Sequence, residues 1–132
     1  MDLERVKDKL GNYIKAVSKL EQVINAPEEN DYKLDAIIKR FEFTYELSWR
    51  LLKAYLEYNG IDAKAPRDCF KEAFAAGVIE DGEGWIDMLE DRNITSHTYN
   101  EEDARVICRR ISDFHLGRFL KLMAVIKGEI EK

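Results

Sequence analysis

The sequence predicts an all-α protein, an antiparallel up-and-down four-helix bundle with one extra short helix. Apolar residues recur at helical spacing over long stretches of the chain. Only two prolines and seven glycines punctuate 132 residues, too few for a loop-rich fold. No segment alternates apolar and polar residues as a half-buried strand does. Residues 1–132 read as one domain without repeat, low-complexity tract or linker, and a hydrophobic share of 45% suffices for a core.

The first helix is expected from about Asp2 to Asn25. Leu3, Val6, Leu10, Tyr13, Ile14, Val17, Leu20 and Ile24 form its single apolar stripe, and Ala26-Pro27-Glu28-Glu29-Asn30 breaks it. The second should start at Asp31, read as an N-cap, and end at Gly60, read as a C′ residue. It carries two apolar faces. Leu34, Ile37, Ile38, Phe41, Tyr45, Leu52, Tyr55 and Leu56 make one; Phe43, Leu47, Leu51, Ala54 and Tyr58 make the other. A small four-helix protein leaves little room for a central helix, so the second face predicts a homodimer interface. A short third helix should begin at Pro66, tolerated at the first helical position, and stop at Gly77, with Phe70, Ala73 and Phe74 facing the core. The loop Glu80-Asp81-Gly82 leads to a fourth helix near Glu83 to Ile94, anchored by Trp85, Met88 and Leu89. The last helix opens near Asn100, where Glu101, Glu102 and Asp103 suit the positive end of the helix dipole, and runs to about Lys127.

The charged share is 36%, above the globular average of about 25%, which fits solvated helix faces. A net charge of -5 argues against avid, non-specific nucleic-acid binding but leaves room for a local basic site. Cys69 and Cys108 lack CxxC spacing and read as buried thiols in a reducing cytoplasm. The start, Met-Asp-Leu-Glu-Arg, has no signal-peptide pattern, and no apolar run is long enough for a bilayer, so a soluble cytoplasmic protein is expected. There is no Gly-rich phosphate loop, metal-ligand cluster or nucleophile elbow, so neither cofactor nor metal is expected.

The chemistry concentrates in Arg92-Asn93-Ile94-Thr95-Ser96-His97-Thr98-Tyr99. Arg92 offers a permanently charged fork matched to phosphate. His97 exchanges a proton near neutral pH. Tyr99 adds a phenol. Asn93, Thr95 and Ser96 supply further polar groups between them, and Asn93 and Ser96 are the candidate substrate contacts. Each alone has a bland reading: Arg92 as a surface partner of Glu90 or Asp91, His97 as a solvated loop residue, Tyr99 as cover for a helix entry. Together, at a bend between two helices, they suit RNA cleavage without a metal. A histidine removes the ribose 2′-hydroxyl proton, and an arginine stabilises the charged phosphorane. An acid for the leaving oxygen would come from a second copy across a two-fold dimer.

The Arg-x4-His-x-Tyr pattern from Arg92 through His97 to Tyr99 resembles that of the HEPN superfamily, specifically its HepT-like toxins. Phe41-Glu-Phe-Thr-Tyr-Glu-Leu-Ser-Trp49, Pro66-Arg67 and Trp85-Ile-Asp-Met-Leu-Glu-Asp-Arg92 are similar to the nucleotidyltransferase substrate-binding proteins, and the resemblance runs from the first helix into the last. It implies a four-helix bundle like the helical domain of kanamycin nucleotidyltransferase, a homodimer, and a separately encoded minimal nucleotidyltransferase as partner. It further implies a toxin-type RNA endonuclease with Arg92 and His97 catalytic. Asn93 would help hold phosphate, and the partner would silence the enzyme by transferring AMP to Tyr99. The family's older description implies instead a non-catalytic substrate-binding subunit of a two-component nucleotidyltransferase. A purely structural helical adaptor is the third reading, which predicts neither cleavage nor ligand binding.

Other residues carry two readings as well. Trp85 is in step with Met88 and Leu89, which favours the core over base stacking. His115 falls on the apolar seam of the last helix and reads as a satisfied core or interface histidine. Arg105, Arg109, Arg110, Arg118 and Lys121 make that helix locally basic, either as a solvated face or as an RNA guide. Glu42 and Glu46 read as intrahelical partners of Lys39, Arg50 and Lys53.

Overall fold

A computed structural model describes residues 2–97 and 100–132. It consists of α1 (Leu3–Asn25), α2 (Asp31–Tyr58), α3 (Pro66–Ala75), α4 (Gly82–Thr95), α5 (Glu101–Arg110), a π-helical turn (Ile111–His115) and α6 (Leu116–Ile130). α5, the π turn and α6 follow one another without a break and form the last rod of an all-α bundle. The described residues contain no strand, and no helix among them is long and apolar enough to cross a membrane.

The helix ends follow the sequence closely, with one correction. The N-cap of α2 is Asn30, whose side chain accepts from the Lys33 N–H at 3.0 Å; Asp31 is the first helical residue. Asn30 wins because its backbone is extended while its oxygen still reaches the open N–H of the first turn. Asn30→Ala is expected to cost about 1 kcal/mol of stability, read as a lower urea midpoint at unchanged slope. Asn100 caps α5 in the same way through the Asp103 N–H at 2.8 Å. Gly60 and Gly77 adopt φ of 81° and 77°, the left-handed conformation that closes α2 and α3. The last helix extends three residues past Lys127, to Ile130.

α2 is central in the bundle, a position for which a small four-helix protein is expected to have little room. It packs against α1, α3, α4 and α5. Its second apolar face is therefore divided. Leu51 and Ala54 are buried inside the protomer, Leu47 is half-buried, and only Phe43 and Tyr58 are exposed. Phe74 is a further correction: it is 54% exposed, not a core residue. It sits in the last turn of the short α3, outward of Phe70 and Ala73, which are buried.

The core is an aromatic chain. Tyr45 meets Phe70, Phe70 meets Trp85, Trp85 meets Phe119, and Phe119 meets Phe41 and Tyr13, with ring centres 5.2–6.3 Å apart. Trp85 is 2% exposed and belongs to this core. Tyr13 donates its hydroxyl to the Phe119 carbonyl at 2.8 Å, tying α1 to α6. Burial raises its pKa well above the ordinary phenol value. Cys69 and Cys108 are buried free thiols, each pushed up to about 11 by burial.

Candidate active site

α4 carries the motif, and two neighbouring helices fix its end from different sides. Asp91 and Arg92 are adjacent, so about 100° of helix rotation separates their side chains. Asp91 turns into the protein toward the last rod, and Arg92 turns toward α2.

On the first side, the Asp91 carboxylate binds His115 Nε2 at 2.7 Å and Arg110 Nη1 at 2.8 Å. His115 is 2% exposed and stacks on Phe41 at 5.5 Å. Arg118 Nη1 donates to its Nδ1 at 2.9 Å. An arginine has no acceptor, so Nδ1 carries no proton and Nε2 is the donor to Asp91. Arg118 in turn donates through Nε to Asp81 Oδ2 at 2.8 Å, and Asp81 caps the start of α4. Burial raises the Asp91 carboxyl, but the hydrogen bond from His115 and the hydrogen bond and charge of Arg110 more than offset it and hold it below the usual range. Ile111, His115 and Phe119, at successive spacings of four across the π turn, are all buried and share the seam that faces the core. A cleft of about 540 Å³ opens over this network, lined by Asp87, Glu90, Ile94 and Phe114 among others.

On the second side, Arg92 lies 3.6 Å from Glu42 Oε2 of α2. The Thr95 hydroxyl is 2.7 Å from the same oxygen and 3.5 Å from Arg92 Nη1. Arg92 is therefore partnered across the bundle, not by Glu90 or Asp91 as in its bland reading. Glu42 is likewise engaged across helices and not by Lys39. Glu46 does keep its intrahelical partner, Arg50, at 3.7 Å, and Lys53 pairs with Glu57 at 2.6 Å. The Arg92 side chain is 28% exposed, so a ligand reaches it, while its Nε is buried without an acceptor among the described residues. An unsatisfied buried donor of this kind costs about 1–3 kcal/mol. Glu42 and Thr95 thus hold the guanidinium without saturating it.

α4 ends at Thr95, and the His97 N–H bonds back to the Ile94 carbonyl at 2.7 Å in a tight turn. His97 is exposed on that turn, as is Asn93 one residue after Arg92. Ser96 is exposed, and its hydroxyl donates to the Asn93 carbonyl at 2.9 Å. Tyr99 lies outside the described residues. The break in the helix after Thr95 frees His97 from the rotation that an unbroken helix would impose. The groove beside the site toward α5, about 480 Å³, is lined by Asp31, Asp35, Glu42 and Glu101 against a single Lys39. Among the described residues, no group of three His, Cys, Asp or Glu side chains is placed to hold a metal ion.

The basic face of the last helix is partly neutralised. Arg105 pairs with Glu101, Arg110 with Asp91, and Arg118 with Asp81. The sequence reading placed His115 correctly in the interior but missed its partners. A histidine on an apolar seam needs a buried acceptor, and Asp91 on the core side of α4 was the available carboxylate.

Residues 8–127 match the family described as nucleotidyltransferase substrate binding protein like. A probable ribonuclease, HepT, from Haemophilus influenzae is 37% identical over 89 residues, covering 64% of this chain and 61% of that relative's length. The chain thus spans under two thirds of the curated relative it matches. A Haemophilus influenzae protein whose structure gave the fold of a substrate binding domain of a nucleotidyltransferase superposes with a TM-score of 0.68 at 28% identity, over 96% of this chain and 99% of that one. A tri-AMPylated HEPN toxin of Shewanella oneidensis, solved in complex with its MNT antitoxin, gives a TM-score of 0.75 over 97% and 98% of the two chains. At 18% identity that likeness is one of fold.

Proposed function

Since this chain belongs to the nucleotidyltransferase substrate binding protein like family, we propose that it is a toxin-type, metal-independent RNA endonuclease paired with a separately encoded nucleotidyltransferase. The observation that carries this reading is the state of Arg92. Its guanidinium is steered by Glu42 and Thr95, partly exposed and not saturated, at the end of the helix that delivers His97 to the surface.

In this reading His97 removes the 2′-hydroxyl proton of a ribose. The 2′-oxygen attacks the adjacent phosphorus, and Arg92 stabilises the charge on the phosphorane. The 5′-oxygen leaves with a proton, giving a 2′,3′-cyclic phosphate and a free 5′-hydroxyl. The second protomer of a homodimer supplies the acid, an imidazole from its own copy of the motif. Phe43 and Tyr58 remain the exposed apolar residues on the face of α2 that predicted such a dimer. Asn93 and Ser96 contact the substrate. The experiment is incubation of the full-length protein with several RNAs in chelator, with end-group analysis of the products. Intact RNA throughout would remove the nuclease reading.

Silencing is a separate expectation. Incubation with the partner nucleotidyltransferase and ATP adds AMP to Tyr99, and Tyr99→Phe blocks the addition. Intact-mass and fragment spectra check it; addition at another residue would remove the assignment of Tyr99 and leave the nuclease reading standing.

The second reading is a non-catalytic substrate-binding subunit of a two-component nucleotidyltransferase. The Arg92–Glu42 ion pair favours it, because Glu42 competes with phosphate for the guanidinium. This reading expects stimulated nucleotide transfer that survives loss of His97.

A further inference from the structure

Tyr45 is 3% exposed, yet its hydroxyl makes no hydrogen bond among the described residues. It is also not sealed from solvent, since among the described residues the one buried side-chain polar atom without a partner is Arg92 Nε. A phenol in such surroundings ordinarily finds an acceptor or donor. Its ring stands edge-on to Phe70 at 6.0 Å, which places Tyr45 against the first turns of α3. Arg67 lies one turn before Phe70 on that helix, directly after Pro66, its first residue. On the other side, Glu42, one turn before Tyr45 on α2, holds Arg92. Burial and the Glu46 carboxylate raise the pKa of the Tyr45 phenol, while the charges of both Arg92 and Arg67 reach it and lower it.

The charges here are unequally engaged. Arg92 pairs with Glu42, Arg50 with Glu46, and Lys53 with Glu57. Glu46 also accepts from Trp49 Nε1 at 3.1 Å. Arg67 forms no ion pair among the described residues, although Asp68 is exposed beside it. The opposite approach to Arg92, over the groove toward α5, is lined with carboxylates that repel an anion.

We propose that Arg67, the Tyr45 hydroxyl and Arg92 form a phosphate-binding subsite between α2, α3 and α4. The subsite deepens the nuclease reading and rests on it for its ligand, a backbone phosphate next to the one being cleaved. The Arg67 fork and the Tyr45 hydroxyl donate to its oxygens, and Arg92 shares its charge between the two phosphates. A free nucleotide presents the same phosphate-ester chemistry, so the test separates the two sources.

Binding to the full-length protein is measured by fluorescence anisotropy with a labelled 2′-O-methyl oligoribonucleotide, which lacks the attacking hydroxyl and cannot be cleaved. Calorimetric titrations with AMP and with inorganic phosphate run alongside. Arg67→Ala is expected to weaken oligonucleotide binding about tenfold, and Tyr45→Phe about threefold, for the loss of charge-assisted and neutral hydrogen bonds respectively. Lys7→Ala on α1 serves as the unaffected charge control. Weakening of AMP binding alone assigns the subsite to free nucleotide. Unchanged binding of all three probes in both variants, or no binding by the wild type, overturns the subsite. A wild type that binds through Arg67 yet cleaves no RNA keeps the subsite and removes the nuclease reading.

Discussion

His97→Ala is expected to lower the proposed RNA cleavage at least about 100-fold, the usual contribution of a positioned general base. Arg92→Ala lowers it by about 100-fold to 1,000-fold, the range for removing one donor to a developing oxyanion. Because His97 is exposed on a turn, its replacement leaves the thermal midpoint within a degree or two of wild type. Arg92 tolerates less, since its loss also strands Glu42 and the Thr95 hydroxyl. Arg92→Lys is the informative companion. It keeps the charge opposite Glu42 but not the planar fork, so the fold survives and cleavage stays low. Single-turnover cleavage in chelator, with midpoints from the same preparations, checks all three. Undiminished cleavage in His97→Ala would place the base elsewhere.

Asp91→Ala destabilises the protein by about 3 kcal/mol, which lowers Tm by roughly 10 °C. It leaves His115 buried with no acceptor and Arg110 without its carboxylate. The sign of the pH dependence follows from the depressed Asp91 pKa. An unfolded aspartate titrates near about 3.9, so the stabilisation is fully present above roughly pH 4 and is lost as pH falls through the lower folded value. Asp91→Asn should remove that portion of the acid limb. Urea unfolding from pH 2 to 7 measures it, and an acid limb unchanged in Asp91→Asn would show that Asp91 does not carry it.

The helices were legible because each is long, periodic and closed by local chemistry. Asn100, Gly60 and Gly77 act through their own backbone surroundings, which a linear reading sees. Phe74 misled because a short helix at the edge of a bundle has no layer outside it to bury its last turn. Leu51 and Ala54 misled for the opposite reason: α2 has neighbours on more sides than a four-rod outline supplies.

At the site, Arg92 and His97 stood out by residue type and spacing. Glu42, the partner of Arg92, did not, and neither did the pairing of Asp91 with His115, because these residues are remote in sequence and come close only through packing. Tyr45 looked like an ordinary core aromatic, since nothing local reveals that Arg67 and Arg92 flank it.

The amino-acid sequence by itself determined that this chain is helical and, within a few residues, where its helices start and stop. Those properties depend on periodicity and on hydrogen bonds within a few residues. Tertiary structure alone decided that α2 is central, that His115 meets Asp91, and that Asp91 and Arg92 are bound by different helices. Such pairings join residues up to fifty positions apart. Their energies depend on burial and on ångström-scale distances, which exist only once the rods have packed.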